Sequence, residues 1–169
     1  MKINTLVLGG LLCLLFALPA GVQAYFTTSQ TAVPYGNDKI LFTVSYKFGF
    51  LNRDLYMPVM AIRGLDTADK SGNLGYGVVT DGVIDVKIGR TTALVLSSAE
   101  IKDGRYYLPR GKNGTFTLVA VMDNKPAQNT KDISLLVTSL PFTMVEKGKN
   151  YEARLNPSEL QYYVTPKVK

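Results

Sequence analysis

The sequence predicts an all-β protein. Apolar and polar residues alternate with period two in its clearest segments. Asp-Gly and Asn-Gly dipeptides punctuate those segments at short intervals. No stretch keeps a 3.6-residue apolar period over three turns. Composition agrees: of 169 residues 46% are hydrophobic and 19% charged, with 15 Gly and 8 Pro, which is a globular mix.

The N-terminus reads as a leader. Lys2 is a short basic region, Leu6–Leu18 is apolar, Pro19 breaks the run, and Val22-Gln23-Ala24 has the small residues a signal peptidase selects. Residues 1–24 are therefore expected to be a signal peptide and 25–169 a single β-sandwich domain. Retention as an anchor is the alternative. The apolar run is short against the ~20 residues of a spanning helix. A lipoprotein fits less well, because Leu11-Leu12 precede Cys13 where a small residue is wanted. Cleavage removes Lys2, so the +6 charge of the whole chain becomes +5. It also removes Cys13, the one cysteine, so the exported domain has no disulfide. It is large enough to fold on its core alone. The expected location is periplasmic or extracellular, with no stable membrane span after cleavage.

The strands follow in order. Ile40, Phe42, Val44, Tyr46 and Phe48 alternate with Leu41, Thr43, Ser45 and Lys47, the pattern of a half-buried antiparallel strand. Tyr56–Ile62 is a second strand, with Pro58 marking an edge or bulge. Leu74–Thr80 and Val83–Ile88 flank Asp81-Gly82, a type I′ turn pair. Thr92–Ser97 is rich in β-branched residues and leucine. Asp103-Gly104 precedes Arg105–Leu108, and Asn113-Gly114 precedes Thr115–Met122 as the strongest hairpin signal of the chain. Asp132–Thr138, Phe142–Val145, Tyr151–Leu155 and Tyr162–Thr165 complete the set. Single helical turns are expected at Ser97–Ile101, with capping-box spacing to Glu100, and at Asn156–Leu160, with Pro157 first in the turn. Gly64–Asn73 and Asp123–Lys131 read as long loops.

Roughly seven to nine short strands with such turns predict an immunoglobulin-like antiparallel β-sandwich, with a small β-barrel as the alternative. Only the architecture is implied, since the tryptophan and disulfide of antibody domains are absent.

Composition excludes several chemistries. Without histidine there is no Ser-His-Asp or Cys-His catalysis and no histidine-bound metal. Asp66 to Asn73 has the flavour of a calcium loop. With Gly72 as the turn glycine of an EF-hand, Thr67 and Val78 replace the first and last carboxylates. A solvated turn is the simpler reading, and a different calcium loop through Asp66 and Asp69 the other. Asp81 and Asp103 serve turns, while Glu146, Glu152 and Glu159 are scattered. Lys47 and Lys87 fall on polar faces, which argues against core isopeptide bonds. Asn113-Gly114-Thr115 matches a glycosylation sequon that the turn explains equally well. No enzyme activity, cofactor or metal is expected.

One cluster reads as a ligand surface. Arg105, Arg110 and Lys112 lie beside Tyr106 and Tyr107, a combination suited to an anionic glycan. Nucleic acid is not an expected partner for an exported chain.

Ala24-Tyr25-Phe26-Thr27-Thr28-Ser29-Gln30-Thr31-Ala32 resembles the segment after the export signal in camelysin-type biofilm fibre proteins. That resemblance implies a secreted β-sandwich subunit, in some members joined by a strand from a neighbour. The glycine-threonine-leucine strand of that family is replaced here by Tyr35-Gly36-Asn37-Asp38. Tyr25–Val33 is thus either the first strand of its own sandwich or an edge strand that pairs with another subunit. The expected function is an exported, non-enzymatic structural or protein-interaction module at the cell envelope. Binding an anionic glycan or another envelope component, or carboxylate-dependent hydrolysis, are the alternatives.

Overall fold

The computed structural model describes residues 25–36, 38–49, 51–64, 72–85, 90–123, 132–155, 165 and 167, with only the backbone of Tyr25, Phe26 and Asp85. Among the described residues there are twelve strands and no helix. They are β1 (Tyr25–Tyr35), β2 (Lys39–Gly49), β3 (Asp54–Met57), β4 (Ala61–Arg63), β5 (Leu74–Thr80) and β6 (Val83–Asp85). The rest are β7 (Thr91–Ser97), β8 (Glu100–Lys102), β9 (Arg105–Leu108), β10 (Gly114–Asp123), β11 (Ile133–Glu146) and β12 (Lys149–Leu155).

The strands form two sheets. One runs β1-β2-β10-β7; the other runs β4-β5-β11-β3-β9-β8, with β12 also on β11 and β6 also on β5. Taken in chain order, β1, β2, β3, β7, β10, β11 and β12 reproduce the immunoglobulin wiring. Its A-B-E-D sheet is β1-β2-β10-β7, and its C-F-G sheet is β3-β11-β12. The fold is therefore an immunoglobulin-like antiparallel β-sandwich. The remaining strands are insertions. β4, β5 and β6 lie between the third and fourth strands of the frame, and β8 and β9 between the fourth and fifth. The β4–β5 pair is parallel. The insertions widen the second sheet until it curls over to β7, where the Arg63 Nη1 donates to Thr91 Oγ1 at 2.8 Å.

The core lies between the sheets. Ile40, Phe42, Val44, Tyr46 and Phe48 are all buried, as their alternation predicts. Phe116, Leu118, Ala120 and Met122 of β10 continue that inner face, and Phe48 meets Phe116 edge-on at 5.7 Å between ring centres. Leu55, Met57, Tyr76, Val78, Leu135 and Leu140 close it from the second sheet.

Several local expectations are corrected. Tyr56–Ile62 is two strands, because Pro58 ends β3 and the chain restarts in β4. Asp132–Thr138 and Phe142–Val145 are one strand, β11, with an irregularity between Val137 and Ser139. Gly75 faces that irregularity. A Cβ there would lie 2.7 Å from Thr138 Oγ1 and 3.2 Å from Ser139 Cβ, so only glycine fits. Asn113-Gly114 is not a hairpin turn: β9 and β10 belong to different sheets, and the residue with positive φ is Gly111. Gly114 instead begins β10 packed against Leu108, whose Cδ atoms would be 2.9 Å from an added Cβ. Ser97–Ile101 is the end of β7 and the start of β8, and Ser97 Oγ accepts from the Ala99 N–H in a bend. Asp81-Gly82 and Asp103-Gly104 do form turns with both residues at positive φ. Asn156–Leu160, the signal segment, Lys87, and the Asp66 and Asp69 of the calcium reading lie outside the described residues.

Candidate functional site

β9 alternates about the sheet. Tyr106 and Leu108 point into the core, whereas Arg105 and Tyr107 are only partly buried on the outer face. The Asp103-Gly104 turn closes β8 onto β9 and sets Lys102 opposite Arg105. On the other side β9 pairs with β3, with Tyr107 opposite Tyr56. The two rings meet at 5.0 Å, tilted by 43°. Each carries a cation over its face: Lys102 Nζ is 4.8 Å from the Tyr107 ring, and Arg105 Cζ 5.8 Å from the Tyr56 ring. Arg105 also donates from Nη2 to the Tyr56 carbonyl at 3.3 Å. Burial first, and then the nearby Asp54 carboxylate, raise the Tyr107 phenol above its ordinary pKa.

Of the five residues singled out by sequence, the structure brings Arg105 and Tyr107 together. Tyr106 belongs to the core, and its hydroxyl donates to the Val95 carbonyl at 2.9 Å. Arg110 and Lys112 are exposed at the other end of β9, in a turn where the Lys112 N–H reaches the Pro109 carbonyl and the Arg110 N–H reaches Asp54 Oδ1. Lys102 and Tyr56 complete the cluster and were not singled out. Tyr56 opened a strand that the sequence signalled, but Lys102 followed a segment read as a helical turn, and the β3–β9 and β8–β9 registers that make them neighbours were not legible.

The same sheet carries acids among its cations. Arg53 pairs with Glu146 at 2.9 Å and lies 5.2 Å from the Tyr151 ring centre. Asp54, Glu100 and Glu152 stand on neighbouring strands. No group of three or more potential metal ligands occurs among the described residues. No helix among them is long and apolar enough to cross a membrane.

Beside the tyrosine pair the sheet is hollowed. Beyond Met57 the chain leaves β3 at Pro58, and Pro58–Met60, with Gly72 and Asn73, wall a pocket of ≈ 540 Å³ against β11 at Pro141–Thr143. Gly104 and Arg105 border it on one side, and Glu152, Ala153 and Arg154 of β12 on the other.

No protein-family model matches the sequence, and no curated protein matches it significantly. Among solved structures it is similar to the GAE domain of GGA2p from Saccharomyces cerevisiae. That likeness has 5% identity and a TM-score of 0.35, and covers 77% of this chain and 84% of that one. It is also similar to the GAE domain of yeast GGA1, with 8% identity, a TM-score of 0.35, and 78% and 89% covered. Likeness this distant transfers neither a function nor a partner.

Proposed function

We propose that the chain is an exported, non-enzymatic β-sandwich that acts as a structural or protein-interaction module at the cell envelope, and that β1 is its docking edge. The observation that carries this reading is β1 itself. It pairs with β2 without a register shift from Tyr25–Gly49 to Tyr35–Lys39, and it ends its sheet. None of its eleven residues, YFTTSQTAVPY, is charged. Sheet edges are ordinarily protected by charge, proline, a bulge or a cover. The opposite edge, β7, has the second sheet folded against it. Among the described residues no strand pairs with the outer side of β1, and its one guard is Pro34 near its end; an edge of this length suits strand addition by a partner protein or a second copy. Residues 1–24 support export. The acids interleaved with Arg53, Lys102 and Arg105 fit a protein surface better than a polyanionic glycan.

The test uses exported protein. Its N-terminal sequence should begin at Tyr25, and an N-terminus retaining Leu6–Leu18 would overturn release. Cross-linking on the envelope should give a defined larger species. Ser29→Lys with Val33→Lys, both at exposed positions, should abolish that species with the unfolding midpoint preserved. A protein that stays monomeric at high concentration and cross-links to nothing would sink the docking edge.

A further inference from the structure

We propose that the pocket beside β3 binds a small organic monoanion, a carboxylate with an apolar body. Its volume of ≈ 540 Å³ lies within the range of small-ligand sites, roughly 300–1,000 Å³. Its walls suit an apolar body. Pro58 and Pro141 are rigid, Val59 packs on the core, and Met60, 59% exposed at the mouth, has the adaptable side chain that fits irregular ligands.

The rim suits a negative group. Arg105 and Arg154 border the pocket from β9 and β12, on either side of the strand that forms its floor. Three strand spacings, each about 4.8 Å, separate those two strands. Arg105 and Arg154 thus bound the pocket from opposite flanks. Among the described residues of the lining, Arg105 and Arg154 are the cations and Glu152 is the carboxylate. A carboxylate with an apolar body uses both the arginines and the apolar walls, whereas phosphate uses only the arginines. Arg105 is held in place before any ligand arrives, through the Tyr56 ring and the Tyr56 carbonyl. That leaves most of its planar fork of donors for a carboxylate. The sequence cluster around Arg105 thus marks one side of the site, and the residues that complete it come from the β3–β4 connection and β12.

This inference is independent of the docking edge, which lies on the other sheet. Purified protein would be titrated with hexanoate by isothermal calorimetry, with hexanol, hexylammonium and inorganic phosphate as comparisons. Hexanoate should bind at one site, and each comparison compound at least ~10-fold more weakly. Arg105→Gln and Arg154→Gln should each lose about tenfold or more in affinity. Met60→Glu, at an exposed position, should weaken hexanoate while leaving the unfolding midpoint unchanged, and serves if an arginine variant fails to fold. No hexanoate binding at millimolar concentration, equal binding of hexanol, or phosphate binding as tightly as hexanoate would each overturn the proposal. So would affinity unchanged in Met60→Glu and in every arginine variant that folds.

Discussion

The Tyr106 hydroxyl, on β9 of the second sheet, donates a hydrogen bond of 2.9 Å to the Val95 carbonyl on β7 of the first. Both residues are buried, so the bond satisfies a main-chain acceptor on an edge strand and fastens the curled sheet to its partner. Tyr106→Phe keeps the ring and strands that carbonyl. The variant should lose about 1–3 kcal/mol in urea unfolding. Tyr107→Phe, on the outer face, should change stability by no more than ~0.5 kcal/mol. Equal losses would mean that Tyr106 acts only through its ring.

Phe42 and Thr43 are chain neighbours on opposite faces of β2. Phe42 is fully buried, whereas Thr43 lies on the outer face and shares a hydroxyl hydrogen bond with Thr31. Phe42→Ala should cost roughly 3–5 kcal/mol. Thr43→Ala should cost under about 1 kcal/mol, the scale of one cross-strand pair. Chemical unfolding of the two variants checks the difference.

Gly75→Ala tests the close approach at β11. The new methyl would press on Thr138 Oγ1 and Ser139, and it should destabilise by about 1–3 kcal/mol. A neutral outcome would show that the Val137–Ser139 irregularity yields freely.

Alkaline pH should loosen the sheet junction at Tyr76. Burial raises its phenol above 10.0, outweighing the hydrogen bond with Thr91 and the Arg63 charge, which both act to lower it. The neutral phenol is thus favoured in the folded state. Its contribution is complete below the unfolded pKa, near 10, and is lost as pH rises through the folded value. Tyr76→Phe should therefore flatten the decline of stability with pH above ~10, whatever it costs at neutrality. An unchanged alkaline slope would exclude Tyr76 as its source.

The parts of this fold written in local chemistry were legible. The alternation of Ile40–Phe48 found its buried face, and Asp81-Gly82 and Asp103-Gly104 found their turns. Asn113-Gly114 misled because the same dipeptide also serves a strand start, where an added Cβ would press on the Leu108 methyl groups. Lys147-Gly148 turns with both φ angles positive despite a lysine, which no simple dipeptide rule favours. The candidate site was half legible. Arg105 and Tyr107 lie in one segment, but Lys102, Tyr56 and Arg154 reach them only through strand registers. Those registers are fixed by long-range packing. Period two also could not say which of Tyr106 and Tyr107 faces inward until the neighbouring sheet was known.

β11 meets β5 along its first half, and β3 and β12 along its second; Thr165 joins it by two hydrogen bonds to Leu135. Its partners span most of the chain. The second sheet therefore has no centre until residue 146 has been synthesised, and no final stitch until residue 165. At roughly 5–20 residues per second, β3 and β5 wait several seconds for the strand that joins them. Such wiring has high contact order and closes slowly. A sandwich whose first sheet is complete by residue 123 thus carries an open apolar face until its last fifth emerges.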